Sequence, residues 1–337
     1  MKVNDFKLVE NLKKDINPGT IAMVNAEEDF FLRDESINSW FIVGHYQSEG
    51  HTLDCLFHLM TMRLSEQQFV INANFSLTDE TTGEYYSDDR IYPITDAEIK
   101  REGDVLTVKC PNGSLIGTLD RAVWKAEMPQ GLMEIEVESM GYPIWNAGGG
   151  LFASPFDKPF HQYSIPCQKT NGRLVIDGKE YKIENGQSWF DRQWQQHGKL
   201  FMASKWRWSW MNLNLDNGDV VSLWDMLNFS TGLDQAWGTI QHPDGSQSTV
   251  KMELLKKDER DFWRSDKSNQ NYPTRWTVRF PEIGAELDIL PVVKESEIVS
   301  QMPFLNKYEG ASKISGTWKG QPIGGFCFVE LLGDWTD

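Results

Sequence analysis

The heptapeptide Ser188-Trp189-Phe190-Asp191-Arg192-Gln193-Trp194 sets a single carboxyl among aromatic rings. In an extended chain successive side chains alternate, so Trp189, Asp191 and Gln193 share one face and Phe190, Arg192 and Trp194 the other. Arg192 is then turned away from its neighbour. A carboxyl held against indole loses hydration, its pKa rises, and it remains a proton donor near neutrality. The same carboxyl would lack that role if it capped a turn or paired with a distant arginine. Trp206-Arg207-Trp208-Ser209-Trp210 puts three indoles on one strand face, and Met211, Leu213 and Leu215 follow on the opposite face. Indole faces suit an apolar ligand and stabilise a nearby cation; core filling between two sheets would use them equally well. In Phe160-His161-Gln162-Tyr163-Ser164, His161 and Tyr163 share a face and could move a proton or orient water. A hydrogen-bonded pair with no chemistry is the plainer alternative. From these residues the expected catalytic set is Asp191, His161 and Tyr163. The expected binding set is Trp189, Trp206, Trp208 and Trp210.

Strands must carry these groups. Asn-Gly occurs at 112–113, 171–172, 185–186 and 217–218, and Asp-Gly at 177–178 and 244–245. Such pairs supply the positive φ angles of tight hairpins. Residues 173–176 and 179–183 flank one predicted hairpin, and 206–215 and 220–228 flank a longer one. Further strands are expected at 39–46, 53–64, 67–77, 105–109 and 132–137. Helix signals are few: 94–102, capped by Thr95 or Asp96, and 6–14. Many short strands at hairpin spacing predict an all-β chain of antiparallel barrels or sandwiches. The 337 residues suit two such units. A Gly- and Pro-rich stretch runs over 141–159. No linker marks the boundary, which is placed at Asn185-Gly186, giving halves 1–185 and 186–337.

Composition narrows the function. Asp and Glu number 49 against 33 Lys and Arg, a balance that repels phosphate backbones and anionic lipid and so disfavours nucleic acid and membrane insertion. Cys55, Cys110, Cys167 and Cys327 form no Cys-x-x-Cys pair, which argues against zinc ribbons and redox dithiols. The opening Met1-Lys2-Val3-Asn4-Asp5-Phe6 carries no apolar export signal. A cytoplasmic protein with reduced, mostly buried thiols follows. His45, His51 and His58 match no metal signature. Gly148-Gly149-Gly150 leads into Leu151-Phe152-Ala153 rather than a helix start, so it is no phosphate cradle. There is no Gly-x-Ser-x-Gly nucleophile elbow either.

Several stretches resemble the carotenoid hydratase (hydroxyneurosporene synthase) and AttH-like family. Gly186–Trp194 followed by Trp206–Gly218 is similar to its signature. Tyr308-Glu309-Gly310-Ala311, Ser315-Gly316 and Gly324–Gly333, with Val329-Glu330-Leu331, resemble its closing pattern. Ser39-Trp40-Phe41-Ile42-Val43-Gly44-His45 resembles its first strand more loosely. The resemblance implies two lipocalin-like (calycin) domains with a pocket within or between them. It also implies chemistry on large apolar molecules without a cofactor, as in carotenoid and phytoalexin hydratases and polyketide cyclases. The family's proposed catalytic Asp maps to Asp191, beside Trp189, and its upstream His-x-Trp pair maps to His161 and Tyr163. Tyr163 stands where a tryptophan is usual, and Gln195 where a glycine is usual. The expectation is a hydratase, isomerase or cyclase of a terpenoid- or polyketide-type molecule, in a monomer or homodimer. Alternatives are a shape-driven pericyclic cyclase, for which Asp191→Asn would cost little, and a lipid or isoprenoid carrier that returns its ligand unchanged.

Overall fold

The computed structural model describes residues 23–196, 198 and 204–336. The first sheet begins with β1 (Ile37–Ser48), β2 (His51–Arg63), β3 (Phe69–Asp79), β4 (Glu84–Pro93) and β5 (Glu98–Glu102). It continues with β6 (Val105–Cys110), β7 (Gly113–Gly117), β8 (Arg121–Met128) and β9 (Gly131–Ser139). Two short strands, β10 (Ile144–Trp145) and β11 (Leu151–Phe152), precede the long β12 (Phe160–Ile176) and β13 (Lys179–Gln195). The strand order β4-β3-β2-β1-β13-β12-β9-β8-β7-β6-β5 curls around one core.

The second sheet contains β14 (Trp206–Leu215), β15 (Val220–Asn228), β16 (Leu233–Gln241) and β17 (Gln247–Lys251). After a small two-stranded ribbon, β18 (Trp263–Arg264) and β19 (Asn271–Tyr272), it adds β20 (Trp276–Phe280), β21 (Ala285–Pro291) and β22 (Glu297–Ile298). The closing hairpin is β23 (Lys307–Trp318) with β24 (Gln321–Gly333). Its order is β17-β16-β15-β14-β24-β23-β21-β20, with β22 added beside β23. All pairings are antiparallel. The fold is thus two curled half-barrel sheets, all-β and antiparallel as the turn spacing predicts, with the lipocalin-like architecture that the family resemblance implies.

Alternation on the central strands sorts their side chains into three layers. On β1, Trp40 and Ile42 enter the first core, while Phe41 and Val43 face the other sheet. On β13, Phe190 and Trp194 point inward and Trp189 outward. On β14, Met211, Leu213 and Leu215 fill the second core, and Trp206, Trp208 and Trp210 face back toward the first sheet. These strands read apolar on both faces because both faces are buried. The middle layer is where the two sheets meet, and it holds the cavity described below.

Several expectations shift. Residues 94–96 form a single 3-10 turn, and 98–102 are strand β5 rather than helix, since pairing with β6 supplies backbone partners that a short exposed helix would lack. The 6–14 helix lies outside the described residues. Asn171-Gly172 and Asn185-Gly186 are not hairpin turns but face each other across a bulge between β12 and β13, with Asn185 at φ +53. The chain therefore runs through 185 without leaving the first sheet. The change of sheet falls between Gln195 and Trp206. The Gly- and Pro-rich stretch straps the halves together: Ala147 N–H donates to Thr239 Oγ1 at 2.9 Å, and Gln247 Oε1 accepts from Trp145 N–H at 3.0 Å. All four cysteines are buried and unpaired. No helix among the described residues is long and apolar enough to cross a membrane.

Candidate active site

Where the middle layer fails to close, a cavity of about 70 Å³ remains, partly open to solvent. One wall comes from the first sheet: Ser39 and Phe41 on β1, Gln162 on β12, and Asp191 on β13. The facing wall comes from the second: Trp208 and Trp210 on β14, Trp224 on β15, Lys307 on β23 and Glu330 on β24. Met60, Met62, Leu305 and Leu332 complete its apolar surface. Neither sheet alone forms this space.

Asp191 sits in the wall with both oxygens engaged. Trp189 Nε1–H donates to Oδ1 at 2.8 Å, and the Gln162 amide donates to Oδ2 at 3.1 Å. The orientation of that amide follows from its other partner. Trp224 Nε1–H, which can only donate, meets Gln162 Oε1 at 2.9 Å. Nε2 is therefore the end that faces the carboxyl. Burial pushes the Asp191 carboxyl up to about 7 against these hydrogen bonds, and the Glu330 carboxylate across the cavity adds to the rise. No arginine pairs with it. Arg192 lies on the far face, donating to Phe31 O at 2.7 Å and Asn38 Oδ1 at 2.8 Å beneath Trp40. The result is a carboxyl that is protonated up to neutrality and open to a ligand.

Opposite lies a buried polar cluster. Lys307 Nζ is 2.6 Å from Glu309 Oε1, 3.6 Å from Glu330 Oε2 and 3.2 Å from His58 Nδ1. Although burial works against the ammonium, Glu309 and Glu330 hold its pKa above the ordinary lysine value. Burial raises Glu309 well above the usual carboxylate range, with Glu330 adding to it and Lys307 opposing. Trp208 Nε1–H donates to Glu330 Oε1 at 2.9 Å. Burial, helped by Lys307, drives the His58 imidazole well below its ordinary pKa, so it is neutral. Its Nε2 lies 2.6 Å from Ser39 Oγ.

The residues singled out from sequence divide. Asp191, Trp208 and Trp210 line the cavity together. Trp189 stands behind Asp191 as its hydrogen-bond donor, edge-on to Trp210. Trp206 stacks on Trp208 at 4.9 Å and supports it without reaching the cavity. His161 and Tyr163 are on the opposite face of β12. The register pairs Ser164 with Asp191 and Gln162 with Gln193, so the even-numbered residues of β12 accompany Asp191. His161 stacks on Trp194 at 5.2 Å, and Tyr163 is fully buried, with its hydroxyl donating to Ala26 O at 2.7 Å. Neither touches the cavity. Sequence reasoning did not single out Gln162, Ser39, Lys307, Glu330 or Trp224, and it weighed His58 only as a metal ligand. Charges inside apolar strands, as in Val329-Glu330-Leu331-Leu332, were the available signal.

Away from the cavity, His45, Asp54 and Glu80 bring one ligand atom each within 4.8 Å of one another. His45 Nδ1 is 2.7 Å from Asp54 Oδ1, and Lys313 Nζ is 3.5 Å from Glu80 Oε2. These ligand atoms already have side-chain partners, which a metal would have to displace.

The profile of the AttH-like family matches residues 24–334. Dehydratase asqC of Emericella nidulans is 27% identical over 204 residues, which cover 56% of this chain and 55% of that protein. The match thus spans about half of that relative's length. Kievitone hydratase from Nectria haematococca superposes with a TM-score of 0.81 at 17% identity, covering 98% of this chain and 100% of the other. An AttH protein from Nitrosomonas europaea superposes with a TM-score of 0.76 at 20% identity, covering 94% and 98%. At these identities the two structural likenesses concern the fold alone. Matched by the family profile from before the first strand to beyond the last, the chain belongs to the AttH-like family.

Proposed function

We propose that this protein is an enzyme that removes water from, or adds it to, a hydrophobic small molecule of terpenoid or polyketide type, with Asp191 as the acid. The observation that carries this is a carboxyl pushed up to about 7 in the wall of an aromatic cavity, with no arginine to ionise it. In the dehydrating direction Asp191 gives its proton to a substrate hydroxyl and the C–O bond breaks with departure of water. The resulting carboxylate then takes a proton from the adjacent carbon as the double bond forms. Hydration runs the same steps backward, so Asp191 ends each cycle protonated. Positive charge developing on carbon would face Trp208, Trp210 and Trp224, whose ring quadrupoles favour a cation. Proton transfer and water exchange call on no cofactor. Among similar proteins, the names dehydratase asqC and kievitone hydratase support this class of reaction.

The test is mass spectrometry of a terpenoid and polyketide panel incubated with the protein and with Asp191→Asn. A compound changed in mass by one water with the native protein, at a rate about 10²–10⁴-fold lower with the variant, supports the proposal. Isomerisation at constant mass with the same dependence would keep Asp191 as the acid and replace hydration. Turnover indifferent to Asp191→Asn would point to cyclisation by shape, and a ligand recovered unchanged to a carrier.

A further inference from the structure

The contact of 2.6 Å between Ser39 Oγ and His58 Nε2 looks at first like an activated serine. Lys307 decides otherwise. Its ammonium carries only donors and lies 3.2 Å from His58 Nδ1, so Nδ1 must be the unprotonated, accepting nitrogen. A neutral imidazole with a bare Nδ1 carries its proton on Nε2. That proton is donated to Ser39 Oγ, which leaves no lone pair on the nitrogen facing Ser39 to take the serine proton. The hydroxyl hydrogen of Ser39 has no acceptor side chain or carbonyl among the described residues, and Ser39 lines the cavity.

The register sets where this hydrogen is offered. Ser39 pairs with Gln193 and Phe41 pairs with Asp191, so Ser39 and Asp191 occupy diagonal positions on neighbouring strands. Both side chains reach the same cavity, from backbone positions about 7–8 Å apart. A short carbon chain bridges two functional groups held at that spacing.

We propose that Ser39 is a second binding point, donating a hydrogen bond to a carbonyl oxygen of the same molecule that presents its reacting carbon to Asp191. This rests on the reading of Asp191 as the acid, and it narrows the substrate to a β-hydroxy carbonyl compound or the matching α,β-unsaturated carbonyl. The chain Lys307 to His58 to Ser39 runs donor to acceptor from a buried cation, which strengthens Ser39 as a donor while the carbonyl oxygen gains electron density. Lys307 and His58 act through Ser39 in this scheme, as positioning residues, and Ser39 makes the hydrogen bond to the carbonyl oxygen.

Two measurements test it. The first reads the relay without any ligand: ¹H–¹⁵N correlation of the imidazoles at pH 7.5, with His58 assigned by His58→Gln. A proton on Nε2 and a bare Nδ1 are expected. A proton on Nδ1 would overturn the inference, as would labelling of Ser39 by a fluorophosphonate. The second is quenching of tryptophan fluorescence by benzylideneacetone and by its carbonyl-free counterpart 1-phenyl-1-butene. The native protein should bind the ketone about tenfold more tightly, and Ser39→Ala should erase that preference while leaving the affinity for the hydrocarbon unchanged. Equal affinities in the native protein would remove the Ser39 subsite and leave the apolar pocket intact. Failure of both probes to bind would instead count against the ligand cavity and with it the function proposed for Asp191.

Discussion

Replacing Asp191 by Asn should make the protein more stable relative to the native chain as pH rises, and the size of the change follows from the site. The folded carboxyl titrates at about 7 rather than its ordinary 3.8. Below about pH 4 folded and unfolded chains both hold the proton. Between about pH 4 and 7 the unfolded chain has released it while the folded chain retains it. Unfolding then sheds a proton, so stability falls with rising pH, by about 1.4 kcal/mol per pH unit. Across the window the loss attributable to this one group is about 4 kcal/mol, and above pH 7 it levels off. Asn has no titration, and its one acceptor oxygen serves only one of the two donors, Trp189 Nε1–H or the Gln162 amide, a pH-independent cost that offsets the whole curve without changing its slope. Urea unfolding of both proteins at half-unit steps from pH 4 to 8 gives the difference directly. Taking the difference cancels Asp225, which burial also pushes up to about 7 on the second sheet. A difference that climbs toward the alkaline side supports a buried, neutral Asp191. A flat difference would refute the reasoning, because it would mean that the carboxylate is already compensated in the fold.

Three further outcomes are expected. Gln162→Leu removes a hydrogen bond that favours the ionised form of Asp191, so the alkaline limb of the activity–pH profile, where the acid is lost, should move to higher pH; it also strands Trp224 Nε1–H, at a cost of about 1–3 kcal/mol in unfolding measurements. Lys307→Met leaves Glu309 and Glu330 without their cation and should destabilise by about 3–5 kcal/mol at pH 8, less as pH falls and Glu309, whose pKa is raised, takes up a proton. His161→Ala and Tyr163→Phe should leave ligand quenching of tryptophan fluorescence unchanged, with Tyr163→Phe costing about 1 kcal/mol of stability for its bond to Ala26 O. A selective loss of binding in either would reopen the far face of β12.

The amino-acid order by itself determined the local rules. Turn pairs such as Asp177-Gly178 and Asn217-Gly218 require positive φ, so hairpins and an all-β chain follow wherever they interrupt β-rich runs. Strict alternation likewise placed Asp191 on the indole side of β13 and away from Arg192, which is why its raised pKa was foreseeable. The same rule within β12 could not say which parity accompanies Asp191. That depends on the register between two strands, and here it selects Gln162 and Ser164 over His161 and Tyr163. Bulges shift such registers by one residue, and one residue reverses every face. Nor could order along the chain reveal that Lys307 and Glu330 would converge on His58 and Asp191. They arrive on β23 and β24 of the second sheet, and only the packing of one curled sheet on the other sets Lys307 3.2 Å from His58 and Glu330 in the cavity that Asp191 also lines.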